Sequence, residues 1–178
     1  MSIQTLARLD AAATLGSNRV NRLPWGRLFA WVSRLGDGWF WYALGFALLA
    51  ASGMEAVPAV SLMVAGGLLG SLLYKLLKHG IRRQRPSAVA PGLVLTVAPL
   101  DRFSFPSGHT LHAVLFSVIA TAHAGWLGWI VWPFTVLVAA SRLVLGLHYL
   151  SDVLAGAAIG AALGWSALAA AAAAGLTI

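Results

Sequence analysis

The sequence predicts an all-α fold: a polytopic bundle of five or six transmembrane helices, preceded by helices on the membrane surface. Three observations predict it. Hydrophobic residues make up 60% of the 178 residues, charged residues make up only 10%, and the apolar residues fall into long runs. Soluble domains carry about 25% charged residues, so this chain cannot cover its surface with water-soluble groups.

Each apolar run is a candidate span, because a helix needs about 20 residues to cross the hydrocarbon core. The first run is short and is expected to tilt or to thin the bilayer locally. The last carries Gly156, Gly160 and Gly164 at four-residue spacing, which predicts close packing against a neighbouring helix. The runs cover residues 38–54, 56–77, 108–124, 126–145 and 148–176.

Residues 1–37 are predicted to form a separate interfacial segment, and residues 38–178 the membrane domain. Leu6, Leu9 and Ala13 recur at helical spacing, and arginines are interspersed among apolar residues throughout the segment. This pattern is typical of amphipathic helices that lie on a bilayer surface. The mixed composition predicts no cleavable signal peptide.

One long loop is expected over residues 80–107, where four prolines break helices and keep the chain outside the hydrocarbon. With this loop in place, four ends of the predicted spans emerge on the same membrane face. Ionisable residues are costly in a membrane unless they are paired or reach water, so their gathering on this face predicts one polar site. Its members are Lys78, Arg82, Arg83, Arg85, Arg102, Ser107, His109, Ser141, Arg142, His148 and Asp152.

The predicted site suits an anion better than a divalent metal. It holds several cations and two histidines with only one nearby carboxylate, Asp152, whereas hard metal ions need several oxygen ligands. Lys78, Arg85 and Arg142 can neutralise a phosphoryl group, and arginine offers a planar fork for its oxygens. No metal and no cofactor are predicted.

Two histidines supply the predicted chemistry. His148 and Asp152 are four residues apart and are expected to share one face of the fifth helix, so that the carboxylate orients one imidazole nitrogen. The other nitrogen is then free to act as a nucleophile or a base. His109 can give a proton to a leaving oxygen, and the backbone at Ser107 and Gly108 adds the N–H donors of a helix start.

Composition excludes several other classes of protein. The chain has no Cys, which excludes disulfides, thiolate metal sites and cysteine nucleophiles. Its net charge of +7 accompanies a large apolar excess, which favours a lipid bilayer as partner and not nucleic acid.

Three motifs among these residues resemble those of the type 2 phosphatidic acid phosphatase (PAP2) family, membrane lipid phosphatases that share an active site with vanadium haloperoxidases. They occur in the family's order. The motifs are Lys78, six residues, Arg85-Pro86; then Pro106-Ser107-Gly108-His109; then Ser141-Arg142, five residues, His148, three residues, Asp152.

The resemblance implies a metal-independent reaction in which His148 attacks phosphorus and forms a phosphohistidine. Asp152 would orient His148, and His109 would protonate the departing oxygen before water completes the hydrolysis. The phosphoryl oxygens would be held by Lys78, Arg85, Ser107, Gly108, Arg142 and, as a secondary candidate, Ser141.

Several polar residues match none of the motifs. Lys75, Arg82 and Arg83 are therefore assigned to lipid head groups or to membrane topology. His112, one turn after His109, is assigned a structural role.

The leading hypothesis is hydrolysis of a phosphomonoester or diphosphate on a membrane lipid. The resemblance suggests polyprenyl phosphate derivatives, phosphatidylglycerophosphate, phosphatidic acid and lipid A phosphates as candidates. Two alternatives stay open: transfer of the phosphoryl group to a lipid hydroxyl, and a non-catalytic protein that binds or transports lipid. The glycine stripe permits a homodimer without requiring one.

Charge predicts the orientation of the protein in the membrane. The arginines gather on the face of the predicted site, and the opposite face has no Lys or Arg. The positive-inside rule therefore predicts that the site faces the cytoplasm. The resemblance implies an integral protein of a bacterial inner membrane.

Overall fold

The computed structural model describes residues 3–90, 92–99 and 101–178, and their regular structure is helical, as predicted. Gln84 and Phe103 form a single backbone bridge that closes the base of the long loop. The helices are α1 Ile3–Asn21, α2 Trp25–Arg34, α3 Phe40–Ser52, α4 Val57–Ile81, α5 Pro86–Val89, α6 Gly108–His123, α7 Gly128–Val144 and α8 Leu150–Ala173.

Helices α3, α6, α7 and α8 fall in four of the five predicted apolar runs. Helix α4 begins within the run 56–77 and continues to Ile81, inside the predicted loop. Within the described residues, three helical stretches are long and apolar enough to cross a membrane: Trp25–Ile81, Gly125–Val144 and Leu150–Ala173. The first stretch contains both α3 and α4, which a short turn joins. Helix α6 has 16 residues, about 24 Å of helix, which is shorter than a typical hydrocarbon core. The span count stays a prediction.

Helix α6 lies at the centre of the bundle and packs against α4, α7 and α8. Leu111, Leu115 and Ile119 are fully buried along it. Buried hydrogen bonds join α6 to α7 in this core: the Ser117 and Thr135 hydroxyls lie 2.7 Å apart, and Thr135 Oγ1 donates to the Ala113 carbonyl at 3.2 Å. The first turn of α6 is thereby held in a rigid frame.

The glycine stripe of α8 faces α6, and the predicted close approach is confirmed. A Cβ on Gly156 would lie 2.5 Å from the Ser107 carbonyl oxygen, and one on Gly160 would overlap the Leu111 carbonyl oxygen. Backbone therefore packs directly on backbone at the start of α6, which fixes the second motif against the third.

The amino-terminal segment packs on the same end of the bundle. Helix α1 contacts α7 and α8 through a polar face, with Asp10, Thr14, Asn18 and Asn21 buried, whereas Leu9 on the predicted apolar face is 55% exposed. Asn18 Nδ2 donates to the Val144 carbonyl at 2.8 Å. The division at residue 37 and the placement of this segment on the bilayer surface stay predictions.

A kink separates α2 from α3. Asp37 has φ −80° and ψ 18°, and Gly38 has φ 128°, a conformation that favours glycine. Just before it, Gly36 lies close against the Val138 side chain of α7. The kink thus turns the chain beside the end of α7 and places Asp37 next to the predicted site.

Candidate active site

Seven of the predicted site residues line one cavity of about 880 Å³. They come from four separate parts of the chain: the end of α4, the loop after it, the start of α6, and the end of α7 with the turn that follows. The seven residues are Lys78, Arg85, Arg102, Gly108, His109, Arg142 and His148.

The three cations are buried although each carries a full charge. Lys78 is 6% exposed, Arg85 4% and Arg142 3%. Lys78 and Arg142 occupy the last turns of α4 and α7, where the negative end of the helix macrodipole stabilises a cation. Arg142 Nη1 donates to the Ser33 hydroxyl, and its Nε has no hydrogen-bond partner among the described residues.

Arg85 is held beside His148. Its Nη1 donates to the Leu147 carbonyl at 2.6 Å and lies 3.3 Å from His148 Nε2. A guanidinium can only donate, so the Nε2 that faces it carries the lone pair, and the imidazole proton belongs on Nδ1. The nucleophilic nitrogen therefore points toward the cations.

His148 lies in the turn before α8, which begins at Leu150, so the prediction that it lies on the helix is wrong. The physical reason is that Tyr149 is the N-cap and has an extended backbone. Asp152, in the first turn of α8, still faces the ring, with Oδ2 3.7 Å from His148 Nδ1. Burial lowers the pKa of His148 well below its ordinary value, as do the charges of Arg142 and Arg85, so the ring is neutral at neutral pH.

Asp152 is fully buried, and both of its oxygens have partners. Oδ2 accepts the Tyr149 backbone N–H at 2.9 Å, and Oδ1 accepts Arg83 Nη1 at 2.7 Å. The assignment of Arg83 to lipid head groups or topology is therefore wrong. Its side chain is only 28% exposed, and it binds Asp152 and, through Nη2, Asp10.

A second carboxylate, Asp101, reaches the cations from the long loop. Its Oδ2 lies 2.5 Å from Lys78 Nζ, and its Oδ1 accepts Arg85 Nη2 at 2.8 Å. Burial raises the pKa of Asp101, but the hydrogen bonds and charges of Lys78 and Arg85 outweigh it and hold the pKa below its ordinary value. The expectation of only one nearby carboxylate is thus wrong, because nothing in the sequence around Asp101 marks it as a partner of distant cations.

His109 lies in the first turn of α6, with its Nε2 3.3 Å from Asp37 Oδ1 at the kink after α2. Sequence reasoning missed this carboxylate. The available signal was its position between two glycines, Gly36 and Gly38, which is typical of a turn and not of a helix interior.

The two serines of the motifs are directed at protein partners. The Ser107 hydroxyl lies 3.0 Å from Thr110 Oγ1, and its backbone N–H donates to the Asp152 carbonyl at 3.0 Å. Ser141 donates to Val138 O of its own helix at 2.6 Å. Both serines are fully buried and neither lines the cavity within the described chain, which differs from the binding role expected of them, whereas Gly108 does line it.

His112 supports the cavity wall. Its Nδ1 lies 2.8 Å from the Gly108 carbonyl oxygen and its Nε2 3.1 Å from Ser71 Oγ, so the ring ties α6 to α4. This placement agrees with the structural role expected for it.

The far part of the cavity is apolar and runs between α3 and α4. Its lining includes residues that are also exposed on the outer surface, among them Phe46 at 74% and Leu68 at 69%. The cavity therefore opens sideways, onto an exposed apolar flank of the bundle. Such a site suits an amphiphilic ligand that has an anionic head and an apolar chain.

The donor set offers little to a metal ion. In the part of the chain that the structure describes, no group of three or more His, Asp or Glu side chains is arranged to hold one. The carboxylates at the site are each paired with a cation or a histidine instead.

Comparison with known proteins finds one family. Residues 56–175, which contain all three motifs but neither α1, α2 nor α3, match the family model described as the PAP2 superfamily. Decaprenylphosphoryl-5-phosphoribose phosphatase of Mycobacterium tuberculosis (strain ATCC 25618 / H37Rv) is 30% identical over 131 residues, which cover 69% of this chain and 70% of that protein. Phosphatidylglycerophosphatase B of Bacillus subtilis (strain 168) is 37% identical over 103 residues, 50% of this chain and 46% of that protein.

Solved structures resemble the whole bundle. The PAP2-type phosphatidylglycerolphosphate phosphatase from Bacillus subtilis has a TM-score of 0.76 and 27% identity, and the match covers 95% of this chain and 87% of that one. LpxE of Aquifex aeolicus has a TM-score of 0.78 and 22% identity, and the match covers 90% of this chain and 95% of that one. This likeness is one of fold alone.

The contact of Asp101 with two cations generates a prediction about anion binding. Replacing Asp101 by Asn removes a carboxylate that competes for Lys78 and Arg85, so we expect inorganic phosphate to bind about tenfold more tightly, equivalent to about 1.4 kcal/mol. Isothermal titration calorimetry in detergent measures this directly. Glu55→Gln removes the same charge at the other end of α4 and serves as control; equal affinities for Asp101→Asn and the parent would contradict the prediction.

Proposed function

The chain belongs to the PAP2 superfamily and is a lipid phosphatase, and from that premise we propose that it hydrolyses a phosphomonoester on the head group of a membrane lipid, with a phosphohistidine at His148 as intermediate. One observation supports the proposal above all. A single cavity joins the Nε2 of His148, three buried cations and an apolar opening between two membrane helices.

The first step is attack by His148 Nε2 on phosphorus. A P–N bond forms, the P–O bond to the lipid head group breaks, and the departing oxygen takes a proton from His109. Charge gathers on the three equatorial oxygens, and preorganised donors stabilise it more than they stabilise the ground state. Lys78, Arg85 and Arg142 supply those donors, and the phosphoryl group displaces the Asp101 carboxylate from two of them.

The second step returns the enzyme to its starting state. Water attacks the phosphohistidine while His109 accepts a proton from it, the P–N bond breaks, and inorganic phosphate leaves. Asp152 opposes the positive charge that develops on the His148 ring during attack, because its Oδ2 faces Nδ1. Its role is to orient and to stabilise, and it exchanges no proton with the substrate.

The substrate class follows from the site and from the relatives. Decaprenylphosphoryl-5-phosphoribose phosphatase and phosphatidylglycerophosphatase are each named for a phosphate on the polar head of a lipid. The cavity suits such a lipid, because the cations lie at one end and the apolar lining extends from them between α3 and α4. A terminal phosphomonoester is therefore favoured over a diphosphate.

We also propose that this integral membrane protein places its site on the cytoplasmic face of a bacterial inner membrane. The exposed arginines lie on α1, on α2 and in the turn between them, at the same end of the bundle as the site: Arg8, Arg19, Arg22, Arg27 and Arg34. The positive-inside rule favours this face. A reporter fused after Ile178 is expected to give an external signal, and a cytoplasmic signal would reverse the face or change the span count.

Phosphate release from a panel of lipids tests the activity. The panel comprises phosphatidylglycerophosphate, a polyprenyl-phosphate sugar phosphate, phosphatidic acid and polyprenyl diphosphate. We expect His148→Ala to abolish release and His109→Ala to lower kcat by about 10²–10⁴-fold, the usual contribution of a general acid. His123→Ala, at the opposite end of α6 and outside the cavity, is the matched control. The account fails if no lipid is hydrolysed faster by the parent than by His148→Ala.

The pH profile tests the state of His148. The ring attacks only when neutral, and burial with nearby cations lowers its pKa below the ordinary 6.5, so kcat/KM should stay high down to a pH below 6.5 before it falls. Steady-state rates between acidic and neutral pH measure this limb. An acid limb with its midpoint at or above pH 6.5 would contradict the lowered pKa of His148.

A further inference from the structure

We propose that Asp10, on the amino-terminal helix α1, is a positioning residue of the reaction that acts on His148 through Arg83 and Asp152. The inference rests on the proposed function, because it assigns Asp10 a part in the work of His148. Asp10 does not line the cavity in the described structure, so it is not a catalytic residue.

Arg83 bridges two carboxylates that belong to different helices. Its Nη2 donates to Asp10 Oδ2 at 2.8 Å, and its Nη1 donates to Asp152 Oδ1 at 2.7 Å. The guanidinium also lies over the Tyr149 ring, 4.0 Å from the centroid. A planar fork held at both prongs and stacked on a ring has one orientation, and lysine cannot reproduce it.

Asp10 holds the other end of this bridge. It is 4% exposed, and its Oδ1 accepts the Ser151 backbone N–H at 2.9 Å. Its Oδ2 accepts the Ser151 hydroxyl as well as Arg83. The first N–H groups of a helix have no partner within the helix, so Asp10 also satisfies a donor at the start of α8. This carboxylate therefore binds both Ser151, in the first turn of α8 beside Asp152, and Arg83.

The bridge sets the rotation of the Asp152 carboxylate. With Oδ1 bound to Arg83, only Oδ2 is left to accept the Tyr149 N–H and to face His148 Nδ1. If Arg83 turned away, Asp152 would lose the charged partner of its Oδ1, and the carboxylate charge that lies 3.7 Å from His148 Nδ1 would shift relative to the ring. Arg83 keeps its orientation because Asp10 binds its other nitrogen.

A purely structural role for Asp10 makes a different prediction. Asn18, on the same face of α1, also docks the helix, since its side chain bonds to Val144 and Val94 without touching Arg83. If Asp10 only docked α1, then Asp10→Asn and Asn18→Ala would affect the enzyme alike. If it positions Arg83, only Asp10→Asn affects the chemical step.

The experiment compares these variants in the full chain in detergent. The substrate is the panel lipid that the parent hydrolyses with the highest kcat/KM, and kcat, KM and the melting temperature are measured together. We expect Asp10→Asn to lower kcat by about 10–100-fold and to leave KM near the parental value. Losses of this size are usual when a residue that orients a reacting side chain is removed. Asn18→Ala should keep the parental kcat per folded molecule, and Asp10→Glu should recover part of the loss.

A double-mutant cycle, with kcat taken per folded molecule, isolates the coupling between Asp10 and Arg83. Because Asp10 acts through Arg83, the double variant Asp10→Asn/Arg83→Gln should lose no more of kcat than Arg83→Gln alone. Additive losses, a parental kcat for Asp10→Asn, or an equal fall in kcat for Asn18→Ala would each overturn the relay while leaving the phosphatase intact. A parent no faster than His148→Ala on every lipid would overturn the proposed function and the relay with it.

Discussion

Three cations buried beside one another at the end of a membrane bundle are the constraint on which the rest of the structure depends. Lys78, Arg85 and Arg142 repel each other and lose most of their hydration, a cost that folding must offset. The fold offsets part of it with the ends of α4 and α7 and with the carboxylate of Asp101. The positive potential that remains is what a phosphoryl group would neutralise.

The same potential governs His148. An imidazole near a single cation in water would stay close to its ordinary pKa, whereas burial beside Arg142 and Arg85 disfavours its charged form. The ring is therefore kept as a neutral nucleophile by the groups that bind the anion. Binding and activation share one physical cause, and a variant that weakens the first is expected to weaken the second.

Much of this could be predicted from the sequence, because it depends on pattern. Apolar runs fixed the helices to within a few residues, the glycine stripe of α8 indicated the contact with α6, and the three motifs identified a PAP2 relationship that the comparisons confirm. The gathering of Lys78, Arg85 and His148 followed from the order of the spans alone. Each of these features involves several residues at regular or characteristic spacing, and such spacing can be recognised in a sequence.

The partners of the motif residues could not be predicted, because each is a single residue with no periodic signal. Asp101 lies in an irregular loop and Asp37 at a kink. Arg83 resembled a membrane-surface arginine because its partners, Asp10 and Asp152, are 73 and 69 residues away. The position of His148 outside α8 depended on where the N-cap fell, and spacing alone does not fix that.

A crystal structure of the protein with orthovanadate tests the central claim most directly, because vanadate takes up the geometry of phosphorus under attack. The account predicts vanadium bonded to His148 Nε2, its oxygens in contact with Lys78, Arg85 and Arg142, and the Asp101 carboxylate displaced. Vanadate bound away from His148, or held there with Asp101 still on both cations, would contradict it.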